Sequence, residues 1–309
     1  MKKVSLFFSV LAIFSIAILF TNCEGPAGAD GTDGANGATG ANGATGANGA
    51  NGTDGYGAVT AADQAAYDAA DGLIGGRLYD SWLEQFALSE GTPVDTAFTN
   101  HEDFFRCNKC HGWDLLGSNG AYASRAPNTT RPALSDKNLY TYAQLHNIKE
   151  IFNVIKHAGG RNKSAMISYN SSMPDYSKIM TDARIWQLVK FLKKESFNAF
   201  NLYDMTVYGY YPTATIAITN IGKDGDAVAG KATYASDCAG CHGATGKALA
   251  IEGLYSVGWM TRHKPYAMQN NAKFGHPKFA SAPTHSNYTE SVMKNLLKAT
   301  ANTTDFPDL

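Results

Sequence analysis

Four of the chain's five cysteines stand in two copies of one pattern, Cys107-Asn108-Lys109-Cys110-His111 and Cys238-Ala239-Gly240-Cys241-His242. Two thiols so close must share one turn of backbone, and a histidine directly behind them puts an imidazole on the same turn. The fifth cysteine, Cys23, lies in the leader, so none remains for a structural disulfide. A thioredoxin-like redox pair needs neither a histidine behind it nor a second copy. A zinc site built from two Cys-x-x-Cys pairs ordinarily spaces them by about 12–20 residues, whereas Cys110 and Cys238 are 128 apart. Coincidence would require two of only 8 histidines in 309 residues to fall at the same offset.

The pattern is the attachment signature of haem c. Two thiols add across the two vinyl groups of the porphyrin as thioethers, and two intervening residues let the pair straddle one ring edge. The adjacent imidazole then turns under the ring and binds iron. Two copies imply two covalently bound haems, held by Cys107, Cys110, Cys238 and Cys241, with His111 and His242 as proximal iron ligands.

Upstream lies a different material. Glycine occupies every third position from Gly25 to Gly55. A triple helix requires that period because only glycine fits at its axis, yet the stretch holds one proline, Pro26, where collagen-like composition wants about 15–20% or more. A flexible Gly/Ala/Asn tether is the alternative. If the repeat winds into a triple helix, the protein is a trimer. Before it, Met1-Lys2-Lys3 and the apolar run Val4 to Phe20 read as a secretory signal. The rival is a retained anchor, for which 17 residues is the short limit. Leu19-Phe20-Thr21-Asn22-Cys23 resembles a bacterial lipoprotein signal, which implies lipidation at Cys23. It departs from the usual pattern at Phe20 and Asn22, and an incidental leader cysteine is the other reading. The expectation is an exported protein, in the periplasm or at the cell surface, lipid-anchored to a bacterial membrane. With 26 basic and 27 acidic residues the net charge is −1, which argues against a nucleic-acid partner. A hydrophobic content of 44% excludes a solvated disordered chain.

Each half of the remaining body resembles a class I cytochrome c domain. In the second half Gly230 and Tyr234 lead into Cys238, and His242 is followed by Gly243. In the first, Gly76 and Tyr79 begin similarly, with an insertion, residues 80–106, before Cys107 is reached. The resemblance covers about residues 60–195 and 223–300. It implies a mainly α fold of two cytochrome c-like helical domains joined by a short β-hairpin and preceded by a disordered or collagen-like stalk. The expected boundaries are 1–22 signal peptide, 23–57 lipid-anchored stalk, 58–200 first domain, 201–225 hairpin connector and 226–309 second domain. Periodicity supports the helices: Leu145, Ile148, Ile151, Phe152 and Ile155 predict one from Tyr142 to His157, and Ile185, Leu188, Val189 and Leu192 another, with Trp186 in the core facing the N-terminal helix.

Haem iron in this family usually takes a distal methionine. Met173-Pro174 resembles the family's distal loop and stands eight residues before Thr181, where the first domain's last helix begins. Met166 is a rival, and His146 and His157 offer bis-histidine ligation. In the second domain Ala282-Pro283 stands where Met-Pro is expected. His276 is the candidate chosen there, ahead of His285, Met268 and Met260, with an open or water-bound iron as the alternative. The resemblance implies an electron carrier, more so than an enzyme, working between redox proteins or quinol-linked complexes outside the cytoplasm. The alternative is a haem enzyme or small-ligand sensor whose open second haem takes peroxide, a sulfur oxyanion or a diatomic gas. A surface scaffold built on the stalk leaves both haem patterns unexplained.

Overall fold

Several helix starts in this chain are fixed by short polar side chains placed just before them. The computed structural model describes residues 58–90, 102–128, 131, 133–156, 173, 176–279 and 281–309. The leader, Cys23, the glycine repeat, His157, Met166 and Pro174 lie outside them. Thr60 and Asp63 form a reciprocal capping box that starts α1 (Ala61–Ala69). Helix α2 (Gly72–Glu90) follows, kinked at Ser81, so the expected insertion opens at a break in the helix. A 3-10 turn over Glu102–Phe105 leads into α3 (Asn108–His111), which carries the first cysteine pattern.

Helix α4 (Leu139–Leu145), capped by Asn138, ends where the expected Tyr142–His157 helix was to continue. His146 is extended, and Asn147 and Glu150 cap each other reciprocally to start a separate helix, α5 (Ile148–Lys156). Leu145 is consequently exposed instead of lying on the apolar face. Helix α6 (Asp182–Lys190) starts after Thr181 and closes in a π-turn over Phe191–Glu195. Trp186 stacks on Phe152 of α5, with ring centroids 4.3 Å apart, and also lines a cleft with Ala66, Ala69 and Ala70, so it faces the N-terminal helix as expected and α5 besides.

A short helix, α7 (Ala199–Leu202), leads to the expected hairpin. Strands β1 (Asp204–Tyr208) and β2 (Thr215–Thr219) pair antiparallel from Asp204↔Thr219 to Tyr208↔Thr215. The second half holds α8 (Ala227–Asp237), capped by Asp226, then α9 (Ala239–His242) with the second cysteine pattern. Helices α10 (Val257–His263), α11 (Pro265–Phe274) and α12 (Glu290–Thr300) follow. Among the described residues the fold is mainly α with one small sheet. Among the described residues no helix is long and apolar enough to cross a membrane.

Two helix crossings organise the core. In the first half α2 crosses α6, and a β-carbon at Gly75 would overlap the Gln187 carbonyl. In the second α8 crosses α12, and one at Gly230 would overlap the Asn295 carbonyl. Glycine lets the backbones touch in both places. The counterpart of Gly230 is therefore Gly75, four residues before Tyr79 as Gly230 is before Tyr234. Gly76, the glycine singled out from sequence, faces the ring of Phe274.

The described residues all fall in one compact unit. Phe274 of α11 is buried in the first core, edge-on to Phe191 at 5.2 Å, while Leu116 of the first half is buried in the second core. The buried ammonium of Lys273 donates to the Glu195 carbonyl at 2.9 Å and lies 3.0 Å from the Glu195 carboxylate.

Gly75→Ala and Gly230→Ala should each cost about 1–3 kcal/mol or more by overpacking. Gly240→Ala, where an added β-carbon meets nothing within 4 Å, should be neutral or mildly stabilising. Urea unfolding of the three variants checks this, and an unaffected Gly230→Ala would refute the close crossing.

Candidate haem sites

The two cysteine patterns fold into the same turn. The Cys107 carbonyl accepts from the His111 amide at 3.0 Å, and the Cys238 carbonyl from the His242 amide at 2.9 Å. Each histidine is followed by a glycine with positive φ, +75° at Gly112 and +73° at Gly243. Only glycine takes that conformation without strain, and it turns the chain sharply away from the imidazole. The turn is then tied to the crossing helix: the Tyr79 hydroxyl donates to the Gly112 carbonyl at 2.6 Å, and that of Tyr234 to the Gly243 carbonyl at 2.8 Å. All four cysteines of the patterns are free thiols. Among the described residues no three His, Cys, Asp or Glu side chains converge on a metal site.

The surroundings of the turns differ. Burial, and then the neighbouring Cys110, pushes the Cys107 thiol up to about 12; burial pushes Cys110 up to about 11. Burial pushes His111 down to about 4, so its imidazole is neutral near pH 7. Its Nδ1 is buried without a hydrogen-bond partner. A buried neutral imidazole beside two free thiols fits the donor set that haem c requires. Asn108 donates to the Asp80 carbonyl at 3.0 Å, and Arg106 pairs with the Asp80 carboxylate. Asp103 gathers Arg131, Lys109 and Arg125 at 3.4, 3.9 and 4.0 Å. Met173 packs at the edge of the first core, as does Cys107. His146 stacks on Tyr142 and pairs with Glu150 at 3.1 Å, engaged within its own helix pair.

The second turn is more open. Cys241 is exposed, and burial pushes the Cys238 thiol up to about 11. His242 Nδ1 meets the Leu249 carbonyl at 3.3 Å, which fixes the ring and leaves Nε2 for iron. Leu249 and Leu254 are exposed at 53% and 66%, apolar surface of the kind a porphyrin face covers. Of the sixth-ligand candidates, His276 stands beside the first half, 3.7 Å from Asp80. His285 stands beside the second turn, stacked on Tyr288 and 3.7 Å from Asp237, the residue before Cys238. Met260 is buried with Trp113, and Met268 lies in the second core.

Sequence reasoning did not reach the residues just behind the first pattern. Trp113 is buried against the second half, and Asp114 is buried with its carboxylate accepting from the amides of Leu116 and Ala121, at 3.2 and 2.6 Å. The visible signal was an aromatic residue and an acid placed directly after His111-Gly112.

A family model described as Cytochrome c matches residues 96–196. The match supports a c-type cytochrome with covalently bound haem c and a haem-based role in electron transfer. It includes Cys107, Cys110, His111 and Met173 and ends before the second pattern. No curated protein and no solved structure matches the chain.

Burial raises the Asp114 carboxyl from 3.8 to about 6. A group whose folded value is raised contributes most below its unfolded value and loses that contribution as pH rises through the folded one. The parent should therefore lose about 3 kcal/mol relative to Asp114→Asn between pH 3.8 and 6, and nothing further above. Paired denaturant titrations across that range test it; a pH-independent difference would contradict the buried carboxyl.

Proposed function

We propose that the chain is an exported, membrane-tethered dihaem c-type cytochrome that passes electrons between redox partners outside the cytoplasm. The observation that carries the reading is the repetition of one local geometry in both halves: the cysteine–histidine turn, the positive-φ glycine, and the tyrosine bond to a helix crossed at a glycine. Bound haem supplies the one-electron chemistry. The chain's own residues hold and tune it: Cys107, Cys110, Cys238 and Cys241 as thioether donors, His111 and His242 as proximal ligands, and Met173 as the distal ligand of the first iron. The second iron takes His242 with either His276 or an exchangeable ligand. The lipid at Cys23 and the glycine repeat serve as anchor and spacer, a reading that rests on sequence. Redox proteins or quinol-linked complexes are the proposed partners.

The openness of the second turn favours a second reading, a haem enzyme or sensor that admits a small ligand there. Cyanide or imidazole tests the second reading: it requires rapid binding to one of the two haems, and resistance of both refutes it and leaves the carrier.

Pyridine haemochrome analysis should find two haems per mature chain, and one in Cys107→Ala or Cys238→Ala. Recovery of a single haem from the parent, expressed with working attachment machinery, would refute the dihaem form. A thioether ligand favours Fe(II) relative to a second imidazole, so the first haem should reduce first. Met173→Ala should abolish the thioether-to-iron absorption at the red end of the spectrum and lower that potential. Cys23→Ser should abolish incorporation of labelled fatty acid.

A further inference from the structure

We infer that Trp113 is a built connection between the two haem turns and carries the electron that passes from one haem to the other; the inference rests on the dihaem reading above. Trp113 follows His111 by two residues, and its side chain lies between the Arg106 guanidinium of its own half, 5.9 Å from the ring, and apolar side chains of the other half. It is 8% exposed and packs in one cluster with Met260 and Ala267, bordered by Ile251 and Tyr255. Its carbonyl is held from the same side, accepting from Asn270 Nδ2 at 2.6 Å and Gln269 Nε2 at 3.3 Å, two buried side chains of α11.

The second turn reaches the same cluster. His242 Nδ1 meets the Leu249 carbonyl, and Ile251 lies two residues further on, tied to Tyr255 by backbone bonds of 2.8 and 3.0 Å. The route therefore runs from the His242 imidazole through one hydrogen bond and two residues to Ile251. It crosses one apolar contact region to the Trp113 indole, then follows two residues to the His111 imidazole. Electronic coupling decays slowly along bonds and short hydrogen bonds and steeply across gaps. Here the only through-space step is inside a packed cluster, whereas the covalent path from residue 113 to residue 249 spans the whole hairpin connector. One electron leaves one iron centre and is taken up by the other. No bond is made, no proton moves, and the indole stays neutral throughout.

The experiment uses the dihaem protein, partly reduced by a light pulse, and follows redistribution of the electron at wavelengths that distinguish the two haems. In Trp113→Leu the intramolecular phase should slow severalfold, and in Trp113→Phe by less, with two haems and both midpoint potentials retained. A role in packing alone would move the potentials or the haem content. Trp186→Leu, which removes an indole stacked on Phe152 away from the route, should leave the rate at the parental value. If Trp113→Leu does not fold, Trp113→Phe and Asn270→Ala carry the test, and both should be slower. A parental rate in every folded Trp113 variant, or equal slowing in Trp186→Leu, overturns the route. A parent with one haem, seen in the haemochrome count before any kinetics, overturns the dihaem reading and the route together.

Discussion

Everything near the two cysteine patterns depends on backbone touching backbone at two helix crossings. A carbonyl of the last helix of each half lies where a β-carbon would stand at Gly75 or Gly230. That approach brings Tyr79 and Tyr234, one helical turn further on, over the turn that follows. Each hydroxyl then closes on the carbonyl of the glycine behind the histidine. A buried hydrogen bond of this kind is worth only about 1 kcal/mol net, but it fixes the direction in which the chain leaves the imidazole. A larger residue at the crossing would move the tyrosine, and the imidazole with it.

Once formed, the two turns are chemically unlike because burial differs. Around Cys107 and His111 the low-dielectric surroundings hold the thiols protonated and the imidazole neutral, the same cause acting in opposite directions on an acid and a base. Around His242 the ring is anchored by the Leu249 carbonyl, while Cys241, Leu249 and Leu254 face outward. The first turn is enclosed by its own half and by α11. The second leaves one side for whatever binds there.

The local part of this architecture was legible in the sequence. The cysteine–histidine spacing and the hairpin within the expected 201–225 connector follow from interactions spanning a few residues. What spans long separations was not legible. Gly75 and Gly76 are adjacent, and only the tertiary partners, Gln187 for one and Phe274 for the other, decide which lies at the crossing. The apolar spacing around Leu145 fitted a single helix, but Asn147 and Glu150 cap each other and divide it. Nor does the sequence show that the fold sets His276 beside Asp80 and His285 near Cys238.

The repeat of one geometry in both halves invites the idea of two separable modules, and the exchange of Phe274 and Leu116 between the cores denies it. The chain is made from its N-terminus, so the first half is complete in sequence long before residue 274 exists. Through that interval its core lacks the ring that fills the space over Gly76. The half that is synthesised first is therefore the half that must wait, and its final packing is set by the arrival of α11.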